Sequence, residues 1–197
     1  MFPRGRTKRL ILRPLEIRDA PQIQQIFPQW EIVQYLIDSV PWPYPKDGAL
    51  HYIRDIALPA MRRKDEWAWT LGLRTKPEQV IGILHLRRGD ENNRGFWLGP
   101  KWQGQGLMSE ACVWANDFWF GTLGFKIMRV AKAQANTASR RISEQQGMRL
   151  AGVTEKDYVS GRMPTEIWEI TAEEWRAWKS QPRGNRARGV RFTHRAE

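Results

Sequence analysis

The sequence predicts a layered mixed fold, α/β or α+β, whose sheet is antiparallel in its first half and enters a βαβ crossover in its second. Two observations carry this. Apolar periodicities run in the order strand, two helices, three strands, helix, strand, helix, two strands, with no internal repeat. The 197 residues, 41% hydrophobic and 27% charged, suffice for one ordinary core and argue against wholesale disorder. No apolar run reaches the roughly 18 residues a membrane span needs, and residues 1–10 hold no signal-like stretch, so a soluble, cytoplasmic protein without membrane contact is expected.

The elements follow in order. Leu10 and Leu12 alternate in a first strand, Arg9 to Leu15, and Asp19 caps a helix reaching about Phe27. A longer helix spans about Asp47 to Arg63, because Leu50, Ile53, Ile56, Ala57 and Ala60 share a face; Pro59 should bend or fray its last turn. Strands Trp67 to Arg74, Val80 to Leu86 and Arg94 to Leu98, joined by short polar turns, read as an antiparallel meander. A helix from Gly106 to about Leu123 leads to strand Ile127 to Gln134, and a short helix from about Ala138 to Gln146 is closed by Gly147. Strands Leu150 to Tyr158 and Thr165 to Ile170 bring the count to seven, and Thr171-Ala172-Glu173-Glu174 is a capping box for a last helix.

The net charge of +11 sits mostly at the ends: residues 1–9 carry +4, residues 180–197 carry +4, and the body only +3. We therefore divide the chain into a basic arm, 1–8, a domain, 9–179, and a basic tail, 180–197, too poor in aliphatic residues to fold. The tail is read as solvated, or as a dock for RNA or an acidic surface. Most of the eleven tryptophans should fill core, whereas Trp42 and Tyr44 lie in a proline-stiffened segment that either rims a pocket or lids the core. One cysteine and three histidines exclude a disulfide within the chain and make a metal site improbable.

The densest chemical signal is Gly99-Pro100-Lys101-Trp102-Gln103-Gly104-Gln105-Gly106-Leu107-Met108-Ser109, where a strand ends and a helix begins. Glycines 104 and 106 remove the side chains that keep a ligand from the backbone, and a helix start adds partial positive charge. Gln103 to Ser109 is thus a candidate diphosphate cradle, although such a glycine pair also serves as a plain turn. The phosphate loop Gly-Lys-Ser/Thr is absent, and the dinucleotide pattern fails at Ser109.

Gly99 to Ala111 resembles the acyl-coenzyme A signature of the GNAT superfamily of N-acetyltransferases, Arg/Gln-x-x-Gly-x-Gly/Ala, with Lys101 as a departure. Asn136-Thr137-Ala138-Ser139 and Gln146-Gly147-Met148 are similar to its second motif, Met148 replacing the usual Phe. The opening Arg9 to Leu15, the Trp42-Pro43 segment and Gly95-Phe96-Trp97-Leu98 are similar to the ribosomal-protein N-terminal acetyltransferase branch, so the resemblance covers about residues 9–170. It implies a GNAT-like mixed central sheet of about seven strands, flanked by helices and splayed between the fourth and fifth, with acetyl-coenzyme A in the gap.

The resemblance also implies roles. Backbone N–H of Trp97 or Leu98 would hold the thioester carbonyl as an oxyanion hole; Gln103, Gly104, Gln105, Gly106, Met108 and Ser109 would hold the diphosphate. Asn136 would bond the pantetheine arm while capping its helix, and Arg140 or Arg141 would approach the adenosine phosphates. Two acids compete for the leaving thiolate. Ser139 occupies the family position but is a poor donor unassisted; Tyr158, with a reference pKa of about 10, lies nearer a thiol at about 8.5. Trp42 and Tyr44 are the candidate acceptor contacts. For the base, Glu155 and Asp157, and more distantly Glu66 and His85, are in view, none decisive. A missing base suits an N-terminal α-amine, with a pKa of about 7.7 to 8.0, better than lysine at about 10.4. Cys112 falls inside a helix pattern, so transfer is expected to be direct.

The expected activity is acetyl transfer from acetyl-coenzyme A to a protein N-terminus of ribosomal-protein type, with ribosome or RNA contact through the basic ends. A small amine (drug, polyamine or amino acid) is the alternative acceptor, and a non-catalytic RNA-binding module the third reading. Monomer and homodimer both stay open.

Overall fold

A computed structural model describes residues 2–182, so the basic tail expected over 180–197 lies mostly outside the described residues. Eight strands form two sheets. The first contains β1 (Gly5–Arg6), β2 (Leu10–Pro14), β3 (Glu66–Leu73), β4 (Gly82–Arg87) and β5 (Arg94–Leu98) in that spatial order, every pair antiparallel. The second contains β6 (Ile127–Ala133), β7 (Arg149–Tyr158) and β8 (Gly161–Thr171), ordered β6-β8-β7 and again antiparallel. Seven of these are the strands read from the periodicity; the eighth, β1, is too short to leave a pattern. It pairs Gly5 with Leu12 inside the segment read as a basic arm.

Alternation explains the layers. On β3, Trp67, Trp69 and Leu71 face one core, with Leu10, Leu12, Leu84 and Leu86; Ala68 and its neighbour Ile83 face the other. The first core lies under α5 (Leu107–Asp117), which continues into a wider π-helical turn at Phe118–Thr122. The second lies under α1 (Ala20–Ile26), α2 (Trp30–Val33) and the helical stretch from α3 (Gly48–His51) to α4 (Leu58–Arg63). The remaining helices are α6 (Thr137–Gln145) and α7 (Ala172–Ser180). Buried indoles find acceptors: Trp69 donates to the Pro3 carbonyl at 2.8 Å, Trp119 to Ile127 at 2.8 Å and Trp175 to Asp117 at 2.9 Å.

Three local expectations are corrected. Asp19 stands at the N-cap position of α1, as read, but its side chain makes no cap hydrogen bond there, and a 3-10 turn, Ile17–Asp19, precedes the helix. Its carboxylate instead takes two bonds from the buried Arg13 guanidinium, at 2.6 and 2.9 Å, because a buried cation needs its counter-charge. Pro59 does not fray the last turn of its helix. The adjustment lies upstream, in a π-helical segment at Tyr52–Ala57, where the wider turn makes room around a residue with no N–H. The parallel rung implied by β5-α5-β6 never becomes a ladder. Asn93 N–H donates to the Arg129 carbonyl at 2.7 Å, and the Asn93 and Asn92 side-chain oxygens accept from Arg129 and Ala131 at 2.7 and 3.2 Å. Beyond these side-chain bridges the strands belong to separate sheets, which is the splay.

The capping box is as read: Thr171 Oγ1 accepts from Glu174 N at 3.1 Å and Glu174 Oε2 from Thr171 N at 2.7 Å. Thr171→Ala is expected to lower stability by about 1 kcal/mol in denaturant melts. Among the described residues no helix is long and apolar enough to cross a membrane.

Candidate functional site

The gap between the sheets opens from Asn93 and Arg129 toward Leu98 and Ala133, and the predicted site residues gather around its mouth. Gly99 N–H bonds the Ile81 carbonyl of the neighbouring strand at 2.9 Å. By the alternation of an antiparallel pair, Trp97 N–H then also faces β4, whereas Leu98 N–H faces the gap. Of the two carbonyl donors considered, Leu98 is the one so directed. The Trp97 ring turns to the α1 side, edge-on to Phe27 at 5.3 Å, and Phe27 meets Tyr44 at 4.9 Å. Tyr44 therefore joins the β5 end to the proline segment, and burial pushes its phenol up to about 12. Trp42 stands apart, exposed beside Trp30 at 5.8 Å.

After Leu98 a 3-10 turn, Pro100–Trp102, leads into an exposed loop, Gln103 to Gly106. Gly104 and Gly106 both have φ of 72°, a left-handed backbone that glycine adopts without strain. A side-chain carbon at Gly104 would meet nothing within 4 Å, and one at Gly106 only Arg9, at 3.6 Å. Among the described residues, the backbone N–H groups of Gly104, Gln105, Gly106, Leu107, Met108 and Ser109 have no protein acceptor; Glu110 N–H makes the first helical bond, to Gly106. Six consecutive amides without a protein acceptor thus lie in an exposed loop and the helix start that follows it. Arg9 braces the loop from below, donating to the Gln105 carbonyl at 2.9 Å and to Glu110 at 2.8 Å. Met108 is buried in the core, so it contributes only backbone here.

Across the gap, Asn136 caps α6: its Oδ1 accepts from Ser139 N at 3.1 Å, and its amide nitrogen remains for another acceptor. Ser139 is buried, and its hydroxyl accepts from Lys132 Nζ at 2.7 Å. The Tyr158 hydroxyl shares a 2.7 Å bond with Thr165, which pairs with Ala133 at the end of β6. Burial raises the Tyr158 pKa, moving it away from a thiol. Arg140 turns inward to Glu166, at 3.0 Å, and to Glu144, whereas Arg141 is exposed and, among the described residues, forms no ion pair. Gln146 ties the two motifs together, accepting from buried Arg94 at 2.8 Å and donating to the Ser109 carbonyl at 3.2 Å. Cys112 is buried, and burial raises its thiol pKa.

Of the four base candidates, Glu155 and Asp157 are exposed on β7 and paired with Arg162. Glu66 is buried, the half-buried His85 lies beside it, and the Tyr52 hydroxyl donates to its carboxylate at 3.5 Å. Glu66 accepts twice from Arg87, at 2.9 and 3.1 Å, and its other oxygen lies 3.9 Å from His85 Nδ1. The imidazole crosses the neighbouring strand, so that any side chain at Gly95 would collide with its Nε2. Burial lowers its pKa, with Glu66 opposing and Arg87 assisting. Lys132 was not singled out from the sequence, although it shares the parity of Met128 and Val130, both core residues.

The sequence pattern of the acetyltransferase (GNAT) domain matches residues 9–149. The chain belongs to the GNAT acetyltransferase family. Comparison with curated sequences returns no match. Among solved structures, Mycobacterium smegmatis RimJ with a coenzyme A disulfide is similar over 93% of this chain and 91% of its own, at 19% identity and a TM-score of 0.75. The ribosomal-protein-S5-alanine acetyltransferase from Vibrio fischeri is similar over 88% and 98%, at 14% identity and a TM-score of 0.73. The microcin C7 self-immunity acetyltransferase MccE, with acetyl-CoA and AMP, is similar over 83% and 93%, at 14% identity and a TM-score of 0.70. At such identities the likeness is one of fold. This GNAT member has the splay, the glycine loop and the capped α6 that the resemblance implied, and among the described residues no group of three His, Cys, Asp or Glu side chains could hold a metal.

Proposed function

We propose that this acetyltransferase moves acetyl from acetyl-coenzyme A to the α-amino group of a protein N-terminus, of ribosomal-protein type, by direct transfer. The observation that supports the donor is the run of unbonded amides from Gly104 to Ser109, in an exposed loop and at the start of α5. Gly104, Gln105, Gly106, Met108 and Ser109 hold the diphosphate there, whereas Gln103 already donates its N–H to Pro100 and its side-chain amide to the Leu98 carbonyl at 2.8 Å. Charge-assisted bonds to the diphosphate contribute about 1.5–3 kcal/mol each. Leu98 N–H, rather than Trp97 N–H, polarises the thioester carbonyl. The free nitrogen of Asn136 serves the pantetheine arm. Arg141 reaches the adenosine phosphates more readily than Arg140, which would have to leave Glu166.

The acceptor side is the face carrying Tyr44, Trp97 and His85, with Trp42 at its rim. A neutral imidazole, its Nδ1 3.9 Å from Glu66, is the base this face offers. An N-terminal amine, with a pKa of about 7.7 to 8.0, is partly neutral at pH 7 before any base acts, and the imidazole takes the proton it sheds as the bond to carbon forms. RimJ and the S5-alanine enzyme among the structural neighbours support a peptide acceptor. MccE supports the second reading, a small amine. Coenzyme A thiol release, measured with N-terminal peptides and with small amines, decides: turnover of peptides is expected, and turnover confined to small amines moves the assignment.

A further inference from the structure

Lys132 is an expensive residue in its position. It sits on β6, 5% exposed, with its nitrogen 5.2 Å from the centre of the Phe96 ring. The groups facing it are Arg94 from β5, Cys112 from α5, Glu166 from β8 and Ser139 from α6. None is a free carboxylate: Glu166 already takes Trp168 Nε1 at 2.9 Å and Arg140 at 3.0 Å. The partner it does bond is the hydroxyl of Ser139, at 2.7 Å. A helix cap needs no lysine behind it, because the Ser139 backbone N–H is already held by Asn136. The hydroxyl of Tyr158, the rival acid, is committed to Thr165.

We propose that Lys132 is the proton source of the reaction, acting through Ser139 on the departing coenzyme A thiolate. When the tetrahedral adduct collapses, the carbon–sulfur bond breaks and its electron pair goes to sulfur. Sulfur takes the Ser139 hydroxyl proton while Oγ takes one from the Lys132 ammonium. Lys132 is left as the neutral amine and is recharged from solvent by a proton equivalent to the one lost by the attacking nitrogen. Burial and the Arg94 charge bring the Lys132 pKa down to about 7, close to the optimum for a group that must give up a proton and regain it each cycle. The proposal rests on acetyl transfer being the activity.

The test is kcat against pH at saturating acetyl-coenzyme A, read as thiol release. The lysine must be protonated to act, so wild-type kcat falls as pH rises through about 7. Lys132→Met should lose roughly ten- to a hundredfold in kcat together with that limb, keep its KM for acetyl-coenzyme A, and melt at or above wild type. Lys132→Gln keeps a donor to Ser139 but cannot relay a proton, so it should be as slow as Lys132→Met. Full activity in Lys132→Gln, or an unchanged pH limb in either variant, overturns the relay while leaving acetyl transfer intact. No thiol release by the wild type with any acceptor overturns both.

Discussion

A Gly104→Asp variant is expected to fold normally and to lose acetyl-coenzyme A affinity by more than a hundredfold. Folding should survive because Gly104 is exposed and a side chain there meets nothing within 4 Å. Its φ of 72° is one that Asp and Asn tolerate better than other side chains. Binding should not survive, because the new carboxylate stands in the loop whose six unbonded amides are the proposed diphosphate site. Like charges about 5 Å apart repel by roughly 3 kcal/mol per pair at an effective dielectric of about 20, and a diphosphate presents two. Even after screening, roughly 3 kcal/mol remains, a hundredfold or more. Gly104→Asn is the control: nearly the same shape, without the charge. Calorimetric titration of acetyl-coenzyme A into both separates the steric loss they share from the electrostatic loss of Asp alone. Equal, modest losses would remove the diphosphate from this loop.

His85→Gln is expected to lower kcat by roughly a hundred- to a thousandfold, the range of general base catalysis. The imidazole must be neutral to accept a proton. Burial pushes its pKa down, so the wild-type rate should rise with pH through a limb below the ordinary histidine range, before the fall through about 7 that Lys132 sets. The groups setting that limb are Glu66 from β3, which raises it, and Arg87 from β4, which lowers it. Gly95→Ala offers a second route to the same end: it changes no titratable group, yet the added methyl collides with Nε2 and displaces the ring. Both variants should lose the ascending limb in kcat and leave acetyl-coenzyme A affinity unchanged. A wild-type pH profile in either would assign the proton to water.

The fold was largely legible because its signals are periodic. Seven strands and their neighbouring helices announce themselves through alternation or a shared face, and Thr171 to Glu174 states its own cap. What escaped has a common physical cause: it depends on tertiary contacts that follow neither the helix nor the strand period. Asp19 sits at the cap position, but its carboxylate goes to Arg13, buried beside it. The two-residue β1 and the four-residue α2 are held by packing that no window of sequence contains. At the site, the glycine loop and the Asn136 motif could be read because their spacing is local chemistry. The Lys132–Ser139 bond could not, since it forms across the turn from β6 into α6. His85 meets Glu66 and Gly95 from adjacent strands, a register that only the folded sheet establishes.

The asparagine bridge between β5 and β6 has a mechanical consequence. A full parallel ladder would fix the angle between the two halves of the molecule residue by residue. Here β5 and β6 are joined at Asn92 and Asn93, by one backbone bond and two side-chain bridges, and the two halves are otherwise tied by a shared core and by the Leu36–Val159 and Asp38–Asp157 backbone bonds. The wedge between the two strands therefore opens without the loss of any pairing within either sheet, and the packed side chains shared by both sheets, not the carboxamides alone, hold the halves together.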